Sequence, residues 1–236
     1  MYGMNVTVGY STAGNYTVEL VVKDNDGLTG STKLQISVIL EKYTLSEALG
    51  RGYVEANVTG VSGLLGGGVC AGDSIILQLK SLVTYTVEIE PLTTGTLLKP
   101  SGTVQEMVVY KLRGEMLGSL FFTPTNRIIL KGTEAAKYLF SGYCVSFEKP
   151  NPNKNTQFSV SGTADEDVLK VLYAVKTLPT NVTSISAIQT AIFVVTDDIS
   201  IEQLETRFPS GVDQIENAKT ILTAAGIDIS SNKLFA

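Results

Sequence analysis

A chain of 236 residues is long enough to bury a sizeable core in one or two domains. Only 17% of it is charged, against about 25% for typical soluble domains. The net charge of -5 and a pI near 4.9, with no basic cluster, argue against a nucleic-acid partner. With no histidine, a Ser-His-Asp triad, a Cys-His dyad and a His-ligated metal are excluded together, and neither a metal nor another cofactor is expected. Apolar runs such as Ala191 to Val195 are far too short to span a bilayer, so membrane insertion is not expected of this chain. Low charge without such a segment leads us to expect a surface partly covered by neighbours.

Met1 leads into a polar, turn-rich stretch without the basic and apolar regions of a signal peptide, so export rests on other features. Asn5, Asn15, Asn57 and Asn181 each begin an Asn-x-Thr glycosylation acceptor pattern. Four such patterns in a Thr-rich, lysine-poor chain point to the outside of a cell and to a glycoprotein.

The first forty residues alternate as strands do. Tyr16, Val18, Leu20 and Val22 face one way, Asn25-Asp26-Gly27 is a turn signal, and alternation resumes over Lys33 to Val38. Tyr10, Gly14, Tyr16, Val18, Leu20, Val22, Asp24 and Gly27 resemble the second half of a PKD-type immunoglobulin-like repeat. The first half, with its Trp, is missing. A lone hairpin is marginal in water, so these strands are expected to lie on something else. We place this half-repeat at 1–42 and a second module at 43–236.

Within that module, 43–160 reads as short strands with Gly and Pro punctuation, the pattern of a β-sandwich or barrel. The strands are Tyr53–Val58, Ser74–Leu79, Thr84–Glu90, Met107–Tyr110, Arg127–Leu130 and Lys137–Phe140. The loop Gly60 to Gly72 contains Gly66-Gly67-Gly68 but no following Lys-Ser/Thr and no dinucleotide-type spacing, so it reads as a connection and not a phosphate cradle. The period changes after Pro152, and 161–236 is expected to be a small helical subdomain. Thr163 to Glu166 has the pattern of a capping box ahead of Val168, Val171, Leu172 and Val175. Ser200 with Gln203 caps a later helix carrying Ile201, Leu204 and Phe208 and ended by Pro209. A last helix from Val212 carries Ile215, Ala218, Leu222 and Ala225 and stops at Gly226. The fold class is therefore mostly β with a C-terminal helical part.

The helix between these begins near Ser184. Ile185, Ile188, Ile192 and Val195 form an apolar stripe, and Gln189 sits beside it, so its amide needs a buried partner. Tyr143-Cys144-Val145 followed by Ile188-Gln189-Thr190-Ala191-Ile192 resembles the paired signature of bacterial surface thioester domains, with Phe193 where that family usually has Trp. The resemblance covers roughly 43–236. It implies a cross-link between the Cys144 sulfur and the Gln189 side chain, an electrophile that an incoming amine opens to leave a stable amide. The chain has two cysteines, and an extracellular pair usually forms a disulfide. A Cys70–Cys144 bridge would close a long loop worth roughly 4 kcal/mol in the chain-entropy model. Cys144 cannot serve both bonds. Asp197-Asp198 reads as a capping and loop feature.

Three functions follow, none enzymatic. The first is a self-assembling subunit of a surface filament or array, its partners copies of itself joined by strand addition. The second is a covalent adhesin whose thioester reacts with an amine-bearing ligand or surface protein. The third is a carbohydrate-binding accessory module, disfavoured by the absence of Trp.

Overall fold

The computed structural model describes residues 10, 13–63, 69–119, 121–207 and 211–235. Asn5, the triplet Gly66-Gly67-Gly68, Phe208 and Pro209 lie outside the described residues. The fold is mostly β with C-terminal helices, as expected. In chain order the strands β1 (Gly14–Lys23), β2 (Thr29–Val38) and β3 (Lys42–Tyr43) come first, followed by α1 (Leu45–Gly50). Next come β4 (Val54–Gly60), β5 (Ala71–Ser81), β6 (Val87–Ile89), β7 (Thr96–Pro100), β8 (Met107–Leu117) and β9 (Phe121–Pro124). The chain continues through β10 (Ile128–Leu130), β11 (Ala135–Cys144), β12 (Gln157–Thr163), α2 (Glu166–Val175), α3 (Ile185–Asp197), α4 (Ile201–Arg207) and α5 (Val212–Ala224).

Two compact units are drawn from interleaved segments. One comprises 1–55, 80–90 and 127–135, and the other 56–79, 91–126 and 136–236. In the first, β1 and β2 pair antiparallel from Gly14↔Val38 to Lys23↔Thr29, around a turn in which the Asp24 carboxylate accepts from the Asp26 and Leu28 amides. Gly27 takes φ 86, which a side chain would resist. Towards its turn end the hairpin is open on both faces: Leu20, Val21, Val22 and Leu34 are all more than half exposed, while Tyr16, Val18, Ile36 and Val38 are half-buried. The same unit holds a three-stranded sheet in the order β10-β6-β3, with Val87, Ile89, Ile128 and Leu130 fully buried. The short helix α1 was not anticipated; Thr44 and Glu47 cap it reciprocally.

The second sheet runs β11-β5-β4-β12-β7-β8-β9, and β11 also pairs with β8. That extra pairing closes six strands into a ring with β9 as a spur, so the alternative between sandwich and barrel resolves to a barrel. Along β5 the side chains of Ile75, Leu77 and Leu79 are buried, with partly exposed neighbours between them, as a one-sided strand requires. Met107–Tyr110 of β8 and Tyr138–Cys144 of β11 are buried on both faces instead.

The helices α2, α3 and α5 pack on one another. The expected capping box at Thr163 does not form. Thr163 is the last residue of β12, paired with Thr96, and Asp165 precedes α2 without a side-chain cap. The Ser200–Gln203 box does form, at 2.9 and 3.3 Å, and Gly226 stops α5 with φ 70. The helix carrying Gln189 is not one-sided. Ala187 through Val194 are all buried, whereas Ile185, the first member of the expected stripe, is 54% exposed.

In the three-stranded sheet the nearly buried Glu88 carboxylate is gripped by the Arg127 guanidinium. Hydrogen bonds from Arg127 hold the Glu88 carboxyl below its ordinary value near 4.5, against the opposing effect of burial. A carboxyl depressed by folding stabilises above its unfolded pKa, and that stabilisation is lost as pH falls through the folded value. Arg127→Met is expected to cost about 1–2 kcal/mol at neutral pH. Thermal unfolding measured against pH should then show a smaller loss of stability on acidification than in the parent.

Candidate functional site

The site lies within the second unit, where the end of β11 meets α3. Tyr143 and Cys144 end a strand that runs between β5 and β8, with Cys144 opposite Met107 and Gly142 opposite Val109. Gly142 has no room for a side chain, since a Cβ there would sit 2.3 Å from Ile75 Cδ1 and 2.9 Å from the Val108 carbonyl oxygen. The absence of that Cβ lets β11 lie this close to β5 two residues before Cys144. On the helical side, the Ser184 hydroxyl accepts from the Ala187 amide at 3.2 Å and starts α3. Asp198 ends it in the left-handed conformation at φ 47.

Gln189 is 5% exposed, so both ends of its carboxamide need partners. Both ends find them on Cys144. Gln189 Nε2 donates to the Cys144 carbonyl at 2.8 Å, and Gln189 Oε1 accepts from the Cys144 amide at 3.0 Å. Oε1 also accepts from the Cys70 thiol, with Sγ 3.6 Å away. The Cys144 amide is shared, donating as well to the Cys70 carbonyl at 3.0 Å. The structure thus brings Cys70, Cys144 and Gln189 to one place, with both cysteines buried as free thiols. Contact between Gln189 and Cys144 runs through the backbone, and the sulfur touching the carboxamide oxygen is that of Cys70. Burial above all, and then a hydrogen bond with Cys70, pushes the Cys144 thiol well above its ordinary pKa.

The other motif residues flank this centre in sequence. Tyr143, Ile188, Ala191 and Phe193 are buried, and Val145 is half-buried. Phe193 follows Gln189 by one helical turn and meets the edge of Phe147 at 5.1 Å and 87°. Arg207 lies over the other ring of this pair, Phe147, with its guanidinium carbon 5.2 Å from the centroid. The Tyr143 hydroxyl is pushed above its ordinary pKa by burial and then by neighbouring Tyr110 and Asp73.

Asp197 and Asp198 serve the surrounding loops. Asp197 accepts the Phe147 amide at 3.1 Å, and Asp198 holds Asn232, the Lys233 amide and the Lys233 ammonium. Among the described residues no group of three or more His, Cys, Asp or Glu side chains is arranged to hold a metal ion. The described glycosylation candidates Asn15, Asn57 and Asn181 are exposed.

Sequence reasoning missed Gln105 and Asn151. Gln105 is fully buried in the turn before β8, and its Nε2 donates to Asn151 Oδ1 at 2.9 Å and to Cys70 Sγ at 3.8 Å. Its Oε1 has no partner among the described residues. The chain carries no local pattern that would have marked either residue, because they are 46 positions apart and meet only through the fold.

No family model and no curated protein matches this chain. One solved structure is similar at 13% identity, described as "The structure of CBM51-2 in complex with GlcNAc and INT domains from Clostridium perfringens ZmpB". The match covers 92% of this chain and 51% of that one, so the chain spans about half of its length. The TM-score is 0.13, too low for the likeness to inform fold or function.

Gln189→Leu would keep the volume and leave the Cys144 carbonyl without its donor in a dry interior. The expected loss is about 1–3 kcal/mol, read from the midpoint of urea unfolding with an unchanged slope. A loss under half a kcal/mol, roughly the scatter of surface substitutions, would mean that the carboxamide is not a structural tie.

Proposed function

We propose that this chain is an extracellular, non-enzymatic adhesive module whose Cys144 and Gln189 form a thioester that bonds covalently to an amine on a neighbouring surface. The observation that supports the reading most is the two-pronged hold of the Gln189 carboxamide on the Cys144 backbone, at 2.8 and 3.0 Å in a buried setting. It fixes the carboxamide carbon beside the cysteine with a donor already on its oxygen, as an acyl transfer needs. In forming the bond, Cys144 Sγ attacks Gln189 Cδ, the C–S bond forms and the C–N bond breaks. The thiol proton leaves with the nitrogen as ammonia. An incoming amine then attacks the same carbon, the C–N bond forms, and the C–S bond breaks. The amine's proton returns to the Cys144 sulfur. Each chain reacts once, so the outcome is a bond and not turnover.

Intact native mass is expected to fall short of the sequence mass by one ammonia, and methylamine should add to Gln189. Cys144→Ala should abolish both effects. A peptide map in which Cys70 is linked to Cys144 would remove this mechanism.

A second reading, a self-assembling surface subunit, is favoured by the hairpin β1–β2. It presents Leu20, Val22 and Leu34 to solvent, and unpaired strand edges are templates for another chain. Paired variants Leu20→Lys and Leu34→Lys should lower the mass seen by light scattering at high concentration while leaving methylamine uptake unchanged. A parent chain that stays monomeric under those conditions defeats this reading alone.

A further inference from the structure

Cys70 stands apart from the thioester pair, yet its thiol touches the reacting carboxamide. Gln189 Oε1 carries no proton, so in the 3.6 Å contact the Cys70 thiol is the donor. On its other sides Cys70 Sγ meets Gln105 Nε2, which donates to it at 3.8 Å, and the hydrogen-bonded Cys144 thiol, while its own S–H meets Gln189 Oε1. Gln105 in turn is fixed by Asn151 through its Nε2 and by the Pro150 carbonyl through its backbone amide at 3.0 Å. The oxygen that becomes negative when Cys144 attacks therefore has two donors already in place, the Cys144 amide at 3.0 Å and the Cys70 thiol. The Cys144 amide divides its hydrogen between Gln189 and the Cys70 carbonyl, which leaves the thiol a real share of the load.

We infer that Cys70 is a positioning residue of the thioester chemistry, its S–H the second donor to the oxyanion on Gln189 Oε1, oriented by Gln105. This inference rests on the thioester reading above. Its chemistry is balanced without further reagents: the Cys70 proton stays on its sulfur throughout, and only the Cys144 proton travels with the departing ammonia. The same donor acts again when an amine opens the thioester, because the same oxygen becomes negative. A thiol is a weaker donor than a side-chain amide, whose loss from an oxyanion site costs about 10²–10³ in rate, so the effect of Cys70 should be roughly tenfold.

The test uses the full chain with Cys70→Ser, Cys70→Val and Cys70→Ala, read by intact mass and by the rate of methylamine incorporation. Serine keeps a donor, and valine fills a similar volume without one, so the comparison survives if alanine leaves the protein unfolded. We expect roughly tenfold slower incorporation with Val or Ala and a rate within a few-fold of the parent with Ser. The unfolding temperatures of Ser and Val should not follow that order. The inference is overturned if Val reacts at the parent rate, or if Ser is as slow as Val, which would mean packing alone. It is also overturned if ammonia loss persists in Cys144→Ala and vanishes in Cys70→Ala, since Cys70 would then be the bond-forming sulfur. A parent chain that neither lacks one ammonia nor takes up methylamine defeats the thioester reading itself, and this inference with it.

Discussion

A primary amide inside a protein must satisfy two donors and an acceptor without water, and leaving it bare costs a few kcal/mol. Gln189 meets that demand chiefly on the backbone of a single residue, Cys144. Backbone atoms of a central strand do not move to suit a side chain, so the demand acts on the helix. α3 is fixed in rotation and depth by where its glutamine must reach. With Gln189 so directed, Phe193 one turn later is brought against Phe147, three residues beyond Cys144. The Asp197 carboxylate reaches the Phe147 amide on the same side. Three contacts spaced along α3 thus tie it to the segment Cys144–Phe147, and the first of them sets the others.

The parts of this arrangement that were legible in the sequence are those with a local cause. Alternation marked the strands, and Ser200, Gln203 and Gly226 marked helix ends, because caps and turns act over three or four residues. The pairing of Cys144 with Gln189 was legible only through resemblance, since nothing in spacing brings residues 45 positions apart together. The failures have equally specific causes. Thr163 has the residues of a capping box, but its backbone is taken by the ladder to Thr96, and Ala164 donates to the Gly95 carbonyl, so the chain is still a strand where the box would form. Ile185 belongs to the stripe by period, yet it lies in the first turn, where one side faces solvent. The middle turns are closed in on all sides, and there amphipathic periodicity carries no information. Gln105 and Asn151 sit in turns, where a polar residue is ordinary, and only burial makes them notable.

In the hairpin, apolar side chains on both faces are exposed in the single chain, while Lys33–Glu19 and the Asn15–Ser37 contact join the strands across its polar rows. A ten-residue ladder with one tight turn satisfies its own interior hydrogen bonds, but a hairpin that buries so little side-chain surface is marginal by itself. What it leaves unsatisfied are the outer edges and the apolar rows. That difference separates the two readings of function cleanly: one depends on a buried polar tie, the other on exposed apolar strands, and the residues involved do not overlap.

On the thioester reading, the hydrogen bond that Gln189 accepts and the one it donates have different fates, and the difference accounts for both steps. The bond at Oε1 strengthens as the oxygen becomes negative, which lowers the barrier in a way that equal binding of ground state and transition state would not. The bond from Nε2 to the Cys144 carbonyl survives into the tetrahedral intermediate and disappears only with the departing ammonia. Its loss leaves the Cys144 carbonyl as an unpaired acceptor in a dry interior, a cost of about 1–3 kcal/mol. An incoming amine that donates to that carbonyl removes the cost and, in doing so, stands where the ammonia nitrogen stood, in line with the acyl carbon. Water at the same position would relieve the carbonyl too, so selectivity between amine and water rests on nucleophilicity and on the burial of Gln189 and Cys144. The tie that holds α3 on the barrel before reaction thereby becomes, once broken, the acceptor that orients the partner.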